Sequence, residues 1–191
     1  MNAATSTQPH LFTPLELRSV TVPNRVVVAP MCQYKAVDGV AGDWHLANLA
    51  KFAMAGAGLI FVEALGVEPI GRITPGCGGL WNDEQIAPLA RIAEFLKSQG
   101  SVPAVQIAHA GRKASTQRPW EGAGPLGDAE AARGEGPWQT VAPSAEPAGP
   151  GWHVPKALSA DEITDIIDKF GQAARRAAEA GFEALEIHGA H

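Results

Sequence analysis

Four short runs of apolar residues alternate along the chain with three longer segments in which apolar residues recur at helical spacing. The runs cover residues 25–29, 58–62, 102–107 and 184–187. Continuous apolar runs of this length are typical of strands that are buried on both faces, as in parallel sheets. The spacing predicts helices over about 43–55, over about 83–98, and from a capping box at Ser159 and Glu162 up to Gly181.

The alternation of strands and helices predicts an α/β protein with a parallel sheet. Residues 109–158 break the rhythm, since this stretch is rich in proline and glycine and holds three of the five tryptophans. Such a long connection is usually a functional lid or an excursion. A small hairpin over 11–23 is predicted to close the bottom of a barrel.

Composition limits the class of protein and its partners. A length of 191 residues suits one domain, and 46% hydrophobic with 18% charged residues is typical of a soluble globular protein. The net charge of -5 and the lack of a basic stripe disfavour nucleic acid and membrane as partners. We expect a cytoplasmic protein, because no signal peptide or membrane span is predicted and two cysteines make no disulfide scaffold.

Polar residues cluster where the four predicted strands end. The first run is followed by residues 30–34, the second by Glu63 and Ala64, the third by residues 106–113 and the fourth by residues 188–191. In parallel α/β folds, ligands bind at the carboxyl ends of the strands. The sequence therefore predicts a functional rim that carries a thiol, a phenol, a carboxylate, an amide and imidazoles.

At these positions the sequence resembles the Old Yellow Enzyme family, in its branch of thermophilic-like and xenobiotic reductases. Six segments carry the resemblance, in the family's order, within a region from about residue 10 to the last residue. They are Asn-Arg to Ala-Pro-Met-Cys-Gln-Tyr at 24–34, Val-Glu-Ala at 62–64, Gly-Arg-Ile-Thr-Pro at 71–75, Gln-Ile-Ala-His-Ala-Gly-Arg-Lys-Ala at 106–114, Ala-Pro-Ser at 142–144 and Glu-Ile-His-Gly-Ala-His at 186–191.

The resemblance implies a TIM (β/α)8 barrel, of which residues 1–191 supply about the first four βα units, with 109–158 as an excursion or lid. It implies a non-covalent FMN and hydride transfer from NADPH or NADH to the activated C=C bond of unsaturated carbonyl or nitro compounds. In such enzymes the cofactor carries the chemistry, and the protein supplies binding, orientation and electrostatics.

The resemblance also assigns roles to the residues at the predicted rim. His188 and His191 match a pair that polarises the substrate oxygen, although a structural pair or a metal site remains open for this spacing. Cys32 matches a cysteine that tunes the flavin potential, and Tyr34 a residue that hydrogen-bonds substrate. The alternatives are a small buried thiol for Cys32 and a packing role for Tyr34.

Further residues of the rim are expected to contact the flavin ring. Pro30, Met31 and Ala64 would shape the ring pocket or simply pack in the core. Gln106 interrupts an apolar strand, and its amide would pair with the pyrimidine edge of the flavin, with water or with backbone.

The sequence indicates less specific roles for one basic loop, for His45 and for Cys77. The basic loop of His109, Arg112 and Lys113 meets the nicotinamide cofactor or substrate, or is solvated. His45 is predicted to be structural, and the pattern gives no partner for Cys77.

Four strands make half of a closed barrel. The family's proton-donating tyrosine and flavin-phosphate site are expected past residue 191. Because a half-barrel exposes strand edges and apolar surface, we expect a second chain or copy to complete it, and a homo-oligomer. Truncation or cleavage explains the length equally well. Two other functions stay open, namely a non-catalytic half-barrel assembly module and a non-redox barrel lyase.

Overall fold

A computed structural model describes residues 9–190. Its strands are β1 Leu15–Leu17, β2 Val20–Val22, β3 Val27–Val28, β4 Leu59–Gly66, β5 Val102–Ala108, β6 Val141–Ala142, β7 Lys156–Ala157 and β8 Ala184–Ile187. Its α-helices are α1 Asp43–Met54, α2 Ile86–Ser98, α3 Asp128–Ala131 and α4 Ala160–Glu179. The four predicted strands and three predicted helices are thus present and in the predicted order.

The four apolar runs form one parallel sheet in the order β3-β4-β5-β8. Sequential strands are neighbours because each connection carries a helix that packs back onto the sheet, namely α1, α2 and α4. All four strands therefore point their carboxyl ends in one direction, which brings the loops that follow them to one edge.

The main core lies between the sheet and the helices. Side chains of β4 and β5 that face outward pack against apolar residues of the helices, which are Leu49, Leu89, Ile92 and Leu96 among others. The opposite face carries a smaller cluster of Val22, Leu59, Val102 and Ala104. Since Leu59 and Val102 begin their strands, the β1–β2 hairpin covers the amino-terminal end of the sheet, as the sequence predicted.

Two strand boundaries differ from the prediction. β3 is reduced to the two residues Val27 and Val28, and the Val26 carbonyl before it accepts from the backbone N–H groups of Gly58 and Leu59. β4 runs on to Gly66 and contains a bulge between Val62 and Ala64. Glu63 and Ala64 therefore belong to the strand, and do not follow it as predicted.

Helix α4 begins and ends as its sequence predicts. The Ser159 hydroxyl accepts from the Glu162 backbone N–H at 3.3 Å, and the Glu162 carboxylate accepts from the Ser159 N–H at 2.9 Å. Gly181 ends the helix at φ 88°, a conformation that a residue with a Cβ adopts only with strain. Within residues 9–190, no helix is long and apolar enough to cross a membrane.

The excursion between β5 and α4 is anchored by stacked aromatic rings. The Arg72 guanidinium lies 5.4 Å from the ring centres of both Trp81 and Trp138, and it donates to the carbonyls of Pro69 and Pro75. Because Trp138 belongs to the excursion and Trp81 to the loop after β4, this stack ties the excursion to the barrel.

Candidate functional site

Three side chains form a layer across the sheet near the carboxyl ends of its strands. Ala64 pairs with Gln106 in the register of β4 and β5, and Gln106 pairs with Glu186 in that of β5 and β8. The Gln106 amide N–H donates a hydrogen bond to the Glu186 carboxylate. The Glu186 carboxylate, a partner that the sequence analysis did not name, fixes the orientation of the Gln106 amide.

His188 stands directly after β8 at the same edge. Its backbone N–H donates to the Ile107 carbonyl at 3.0 Å, and its side chain is half-buried. It lies two residues after Glu186, which is one full alternation further towards the rim. His191, the second histidine of the expected pair, lies outside the described residues.

The loop after β3 is held against the bulge of β4. The Gln33 backbone N–H donates to the Glu63 carboxylate at 2.5 Å, and the Ala64 backbone N–H donates to the Cys32 sulfur. Met31 is 58% exposed and Pro30 half-buried, so both lie at the rim, outside the core. The bulge therefore positions this loop, and with it Cys32, beside the layer of Ala64.

Cys77, which the sequence left without a partner, lies near Cys32, and the two thiols shift each other's pKa. Interaction with Cys77 and burial raise the pKa of the Cys32 thiol. Interaction with Cys32, together with the backbone N–H and hydroxyl of Thr74 at 3.3 and 3.4 Å from the Cys77 sulfur, lowers the pKa of Cys77 to about 7 despite its burial.

Tyr34 occupies a strained backbone position at the same rim. Its φ of 56° lies in the left-handed region, which aromatic residues rarely adopt. Non-glycine residues in this conformation cluster at functional sites. Burial, followed by the nearby Cys32, Cys77 and Glu63, raises the pKa of Tyr34 to about 12. The phenol is therefore protonated at neutral pH and can donate a hydrogen bond.

His45 pairs with Glu63 beneath the first loop, with the two side chains 3% and 2% exposed. Because Nδ1 of His45 accepts from the Gly42 N–H, its proton lies on Nε2, which is 2.9 Å from the Glu63 carboxylate. The N–H does not point along this line, so the contact is electrostatic rather than a linear hydrogen bond. This fits the structural role predicted for His45.

His109 turns away from the rim to a buried ion-pair cluster. The Gly111 N–H donates to Nδ1 of His109, whose Nε2 lies 2.8 Å from Glu68; Lys169 of α4 reaches the other oxygen of Glu68 at 2.5 Å. Hydrogen bonding to His109, then to Lys169, lowers the pKa of Glu68 although burial opposes it. The cluster joins the ends of β4 and β5 to α4, so His109 is not solvated, and its contact with cofactor or substrate stays a prediction.

The other two basic residues of that loop stay near its surface. Arg112 donates to the Ser144 hydroxyl at 3.1 Å and lies 3.7 Å from Glu146, and Lys113 is exposed. Both neighbours of Arg112 belong to the excursion, so this arginine contributes to holding the excursion in place.

The residues of the rim fit the ring of a flavin. An isoalloxazine pyrimidine edge presents carbonyl oxygens beside an N–H, and the Gln106 amide has an acceptor oxygen and a second N–H beyond its bond to Glu186. Ala64, which pairs with Gln106, has only a methyl side chain, and Cys32 lies beside it. The set therefore offers one amide edge, one thiol and an apolar floor.

Sequence reasoning passed over two side chains of this site. Glu186 lies opposite Gln106 in the neighbouring strand, so that both side chains point to the same face of the sheet. A polar residue in each of two apolar strands is the signal that predicts this pair. Cys77 lies in an irregular loop, where no periodicity relates it to Cys32.

Comparison with known proteins gives relatives of one kind. The model of the NADH:flavin oxidoreductase / NADH oxidase family matches residues 10–191. An NADH:flavin oxidoreductase of Gibberella zeae is 47% identical over 190 residues, which is 98% of this chain and 45% of the relative. The NADPH dehydrogenase of Bacillus subtilis is 39% identical over 183 residues, covering 95% and 48% respectively.

Solved structures agree in fold. Morphinone reductase in complex with tetrahydroNAD matches at a TM-score of 0.77 and 33% identity, over 96% of this chain and 50% of that one. The Old Yellow Enzyme homologue of Zymomonas mobilis matches at 0.75 and 29%, over 94% and 48%. The chain thus spans about half the length of the relatives it matches, and its parallel sheet corresponds to half of a (β/α)8 barrel.

These matches confirm the family, the fold class and, for the family, the flavin and nicotinamide cofactors that the resemblance implied. The chain belongs to the NADH:flavin oxidoreductase / NADH oxidase family, the FMN-dependent family of the Old Yellow Enzyme.

Proposed function

We propose that this protein is an FMN-dependent oxidoreductase that takes hydride from NAD(P)H and reduces the activated C=C bond of α,β-unsaturated carbonyl or nitro compounds. The observation that carries the proposal is the layer of Ala64, Gln106 and Glu186, with His188 and the Cys32–Tyr34 loop at its edge. When bound, FMN supplies the redox chemistry, and the net reaction adds a hydride and a proton across the C=C bond.

The side chains of the rim have complementary tasks in this proposal. Gln106, oriented by Glu186, holds the edge of the ring, while Pro30, Met31 and Ala64 line it. Cys32 acts on the ring as a protonated thiol, because its pKa is raised.

The phenol of Tyr34 and the imidazoles of His188 and of His191, three residues later, bind the substrate oxygen. Donors of this kind stabilise the negative charge that develops on that oxygen as hydride arrives. The high pKa of Tyr34 keeps its proton in place for that role.

A completed barrel is part of the proposal. Ile187 on β8 is 64% exposed and Ile167 on α4 is 63% exposed, on a face that would meet the next strand–helix unit. At the other edge of the sheet, Val27 of β3 is 49% exposed. We infer that a second half-barrel, in the same polypeptide or in another chain, covers both edges.

The first experiment is an absorbance spectrum of the purified protein with every co-purifying chain, followed by anaerobic addition of NADPH and then of an enone. We expect a flavin band that bleaches with NADPH and returns with the enone. A colourless protein that takes up no FMN would support the assembly module instead. A flavin that NADPH reduces but enones do not reoxidise would retain the oxidoreductase and reject alkene reduction.

The role of Gln106 is tested by FMN titration of Gln106→Ala, with Gln99→Ala as the matched control. Gln99 is exposed at the end of α2, on the opposite side of the sheet. Loss of buried hydrogen bonds worth about 1–3 kcal/mol predicts roughly 5- to 150-fold weaker FMN binding for Gln106→Ala. Equal affinities for the two variants would remove Gln106 from the flavin site.

A non-redox lyase is less well supported. Schiff-base chemistry uses a lysine at the end of a strand, and β3, β4, β5 and β8 contain no lysine.

A further inference from the structure

An aromatic contact between Trp120 and Tyr34 joins the excursion to the rim. The ring of Trp120 meets that of Tyr34 edge to face, with centroids 5.6 Å apart and planes at 80°. Edge-to-face packing of this kind is favourable for aromatic pairs. Trp120 nevertheless remains 62% exposed, so most of the indole surface is free to be covered by something else.

Trp120 lies in a finger, residues 116–125, that is closed upon itself. Thr116 and Pro125 form a β-bridge, and the Gln117 N–H donates to the Gly124 carbonyl at 2.8 Å. Trp120 is the middle residue of the short 3-10 turn Pro119–Glu121 between these contacts. The position of the indole is therefore fixed by local structure.

Charged side chains clamp the finger to the rest of the excursion. Arg118 makes two hydrogen bonds to Glu135, at 2.8 and 2.5 Å, and the Gln117 amide donates to Glu130 at 3.0 Å. A bidentate arginine–carboxylate pair fixes direction as well as distance. The indole is thus held at the rim before any ligand arrives, which lowers the entropic cost of using it as a binding surface.

Tyr34 is fixed equally well on its other side. A Cβ added at Gly76 would lie 2.5 Å from the Tyr34 carbonyl oxygen and 3.1 Å from Nε of Arg118. The Gly76 carbonyl accepts from the Ala36 N–H. The loop at Gly76 therefore packs between the Tyr34 backbone and the base of the finger, so that the two aromatic residues keep one relative position.

We propose that Trp120 forms the outer wall of the substrate pocket beside Tyr34 and selects alkenes that carry an aromatic substituent. The proposal rests on the function proposed above, in which Tyr34 holds the substrate oxygen. A substrate bound at that phenol extends past the neighbouring indole, whose open faces offer a stacking surface to a planar ring. A small cyclic enone without an aromatic group does not reach this surface.

The test compares kcat/KM for cinnamaldehyde and for 2-cyclohexenone in Trp120→Ala and Trp120→Phe of the flavin-loaded protein with all its chains. Aromatic contacts predict that Trp120→Ala lowers the ratio of aryl to cyclic substrate by about 3- to 10-fold, and that Trp120→Phe restores most of it. Trp152→Ala, a half-buried tryptophan of the same excursion, should leave the ratio unchanged. A ratio in Trp120→Ala within about 2-fold of wild type, or a higher one, would overturn the proposal.

Two further measurements distinguish failure of this proposal from misfolding of a variant and from failure of the proposed function. Trp120→Leu keeps bulk without an aromatic face, so the ratio should fall as it does in Trp120→Ala. Tyr34 is the only tyrosine among the 191 residues, and its phenolate absorbance, obtained by difference from Tyr34→Phe, should titrate below about 12 in Trp120→Ala. An unchanged titration would reject the contact even in a preparation without flavin, whereas a loss of all alkene reduction in wild type would reject the proposed function alone.

Discussion

Removing the carboxylate of Glu63 should be among the more damaging single changes in this chain. Glu63 stands in the bulge of β4, accepts from the Gln33 N–H at 2.5 Å and lies 2.9 Å from Nε2 of His45. Glu63→Ala leaves the part-buried Gln33 N–H without its acceptor and removes the charge beside the buried His45. A donor left without an acceptor costs about 1–3 kcal/mol, so we expect a loss of about 2 kcal/mol in the free energy of unfolding.

The assay is urea unfolding of the purified protein with its co-purifying chains, followed by circular dichroism. Glu63→Gln retains one acceptor oxygen and should lose roughly half as much stability. Glu84→Ala, at an exposed position before α2, should stay within about 0.5 kcal/mol of wild type. If Glu63→Ala costs less than about 1 kcal/mol, the carboxylate does not hold the first loop and the reasoning fails.

The same variant should disturb the rim as well as the stability. Without its anchor at Gln33, the loop that carries Cys32 loses its fixed position beside Ala64. We therefore expect weaker FMN binding in Glu63→Ala even at temperatures where the variant is fully folded, and faster alkylation of Cys32.

Two more predictions follow from hydrogen bonds to ionised groups. Thr74→Val removes a donor to the Cys77 sulfur, so the pKa of Cys77 should rise from about 7 towards 9.0; thiolate absorbance against pH checks this, and an unchanged titration would show that the hydroxyl does not contribute. The pKa of Glu68 is lowered, so its bonds to His109 and Lys169 contribute stability above the ordinary value of 4.5, and that contribution is lost as pH falls through the lowered pKa. Glu68→Gln should therefore be less stable than wild type at neutral pH, with a shallower loss of unfolding free energy below pH 4.5; parallel curves for the two proteins would contradict this.

Much of the fold follows from the sequence because its strands are buried on both faces. The runs at 58–62 and 102–107 have no polar alternation, as expected for strands of a covered parallel sheet, and Ser159 with Glu162 marks the start of α4. The carboxyl ends of the strands then gather Cys32, Ala64, Gln106 and His188 at one edge by geometry alone.

What the sequence could not predict depends on contacts between irregular segments. The bulge at Glu63 leaves the apolar pattern of β4 intact, so nothing in periodicity distinguishes it from a strand that ends at Val62. The pairs Cys32–Cys77 and Tyr34–Trp120 join irregular loops. The path of these loops depends on residues with positive φ, such as Tyr34, and on the long connection 109–158, neither of which has a periodic pattern. The pairing of His109 with the buried carboxylate of Glu68 has no local signal in the sequence either.

The bulge in β4 also bears on how this strand tolerates change in length. Val62 pairs with Val105 and Ala64 with Gln106, so Glu63 is one residue more than the neighbouring strand needs. Deleting a residue elsewhere in β4 would reverse the faces of every side chain on one side of the cut. Deleting Glu63 would leave both pairings, and the inward and outward sets of side chains, as they are. The register of the sheet is therefore independent of the residue that anchors the first loop.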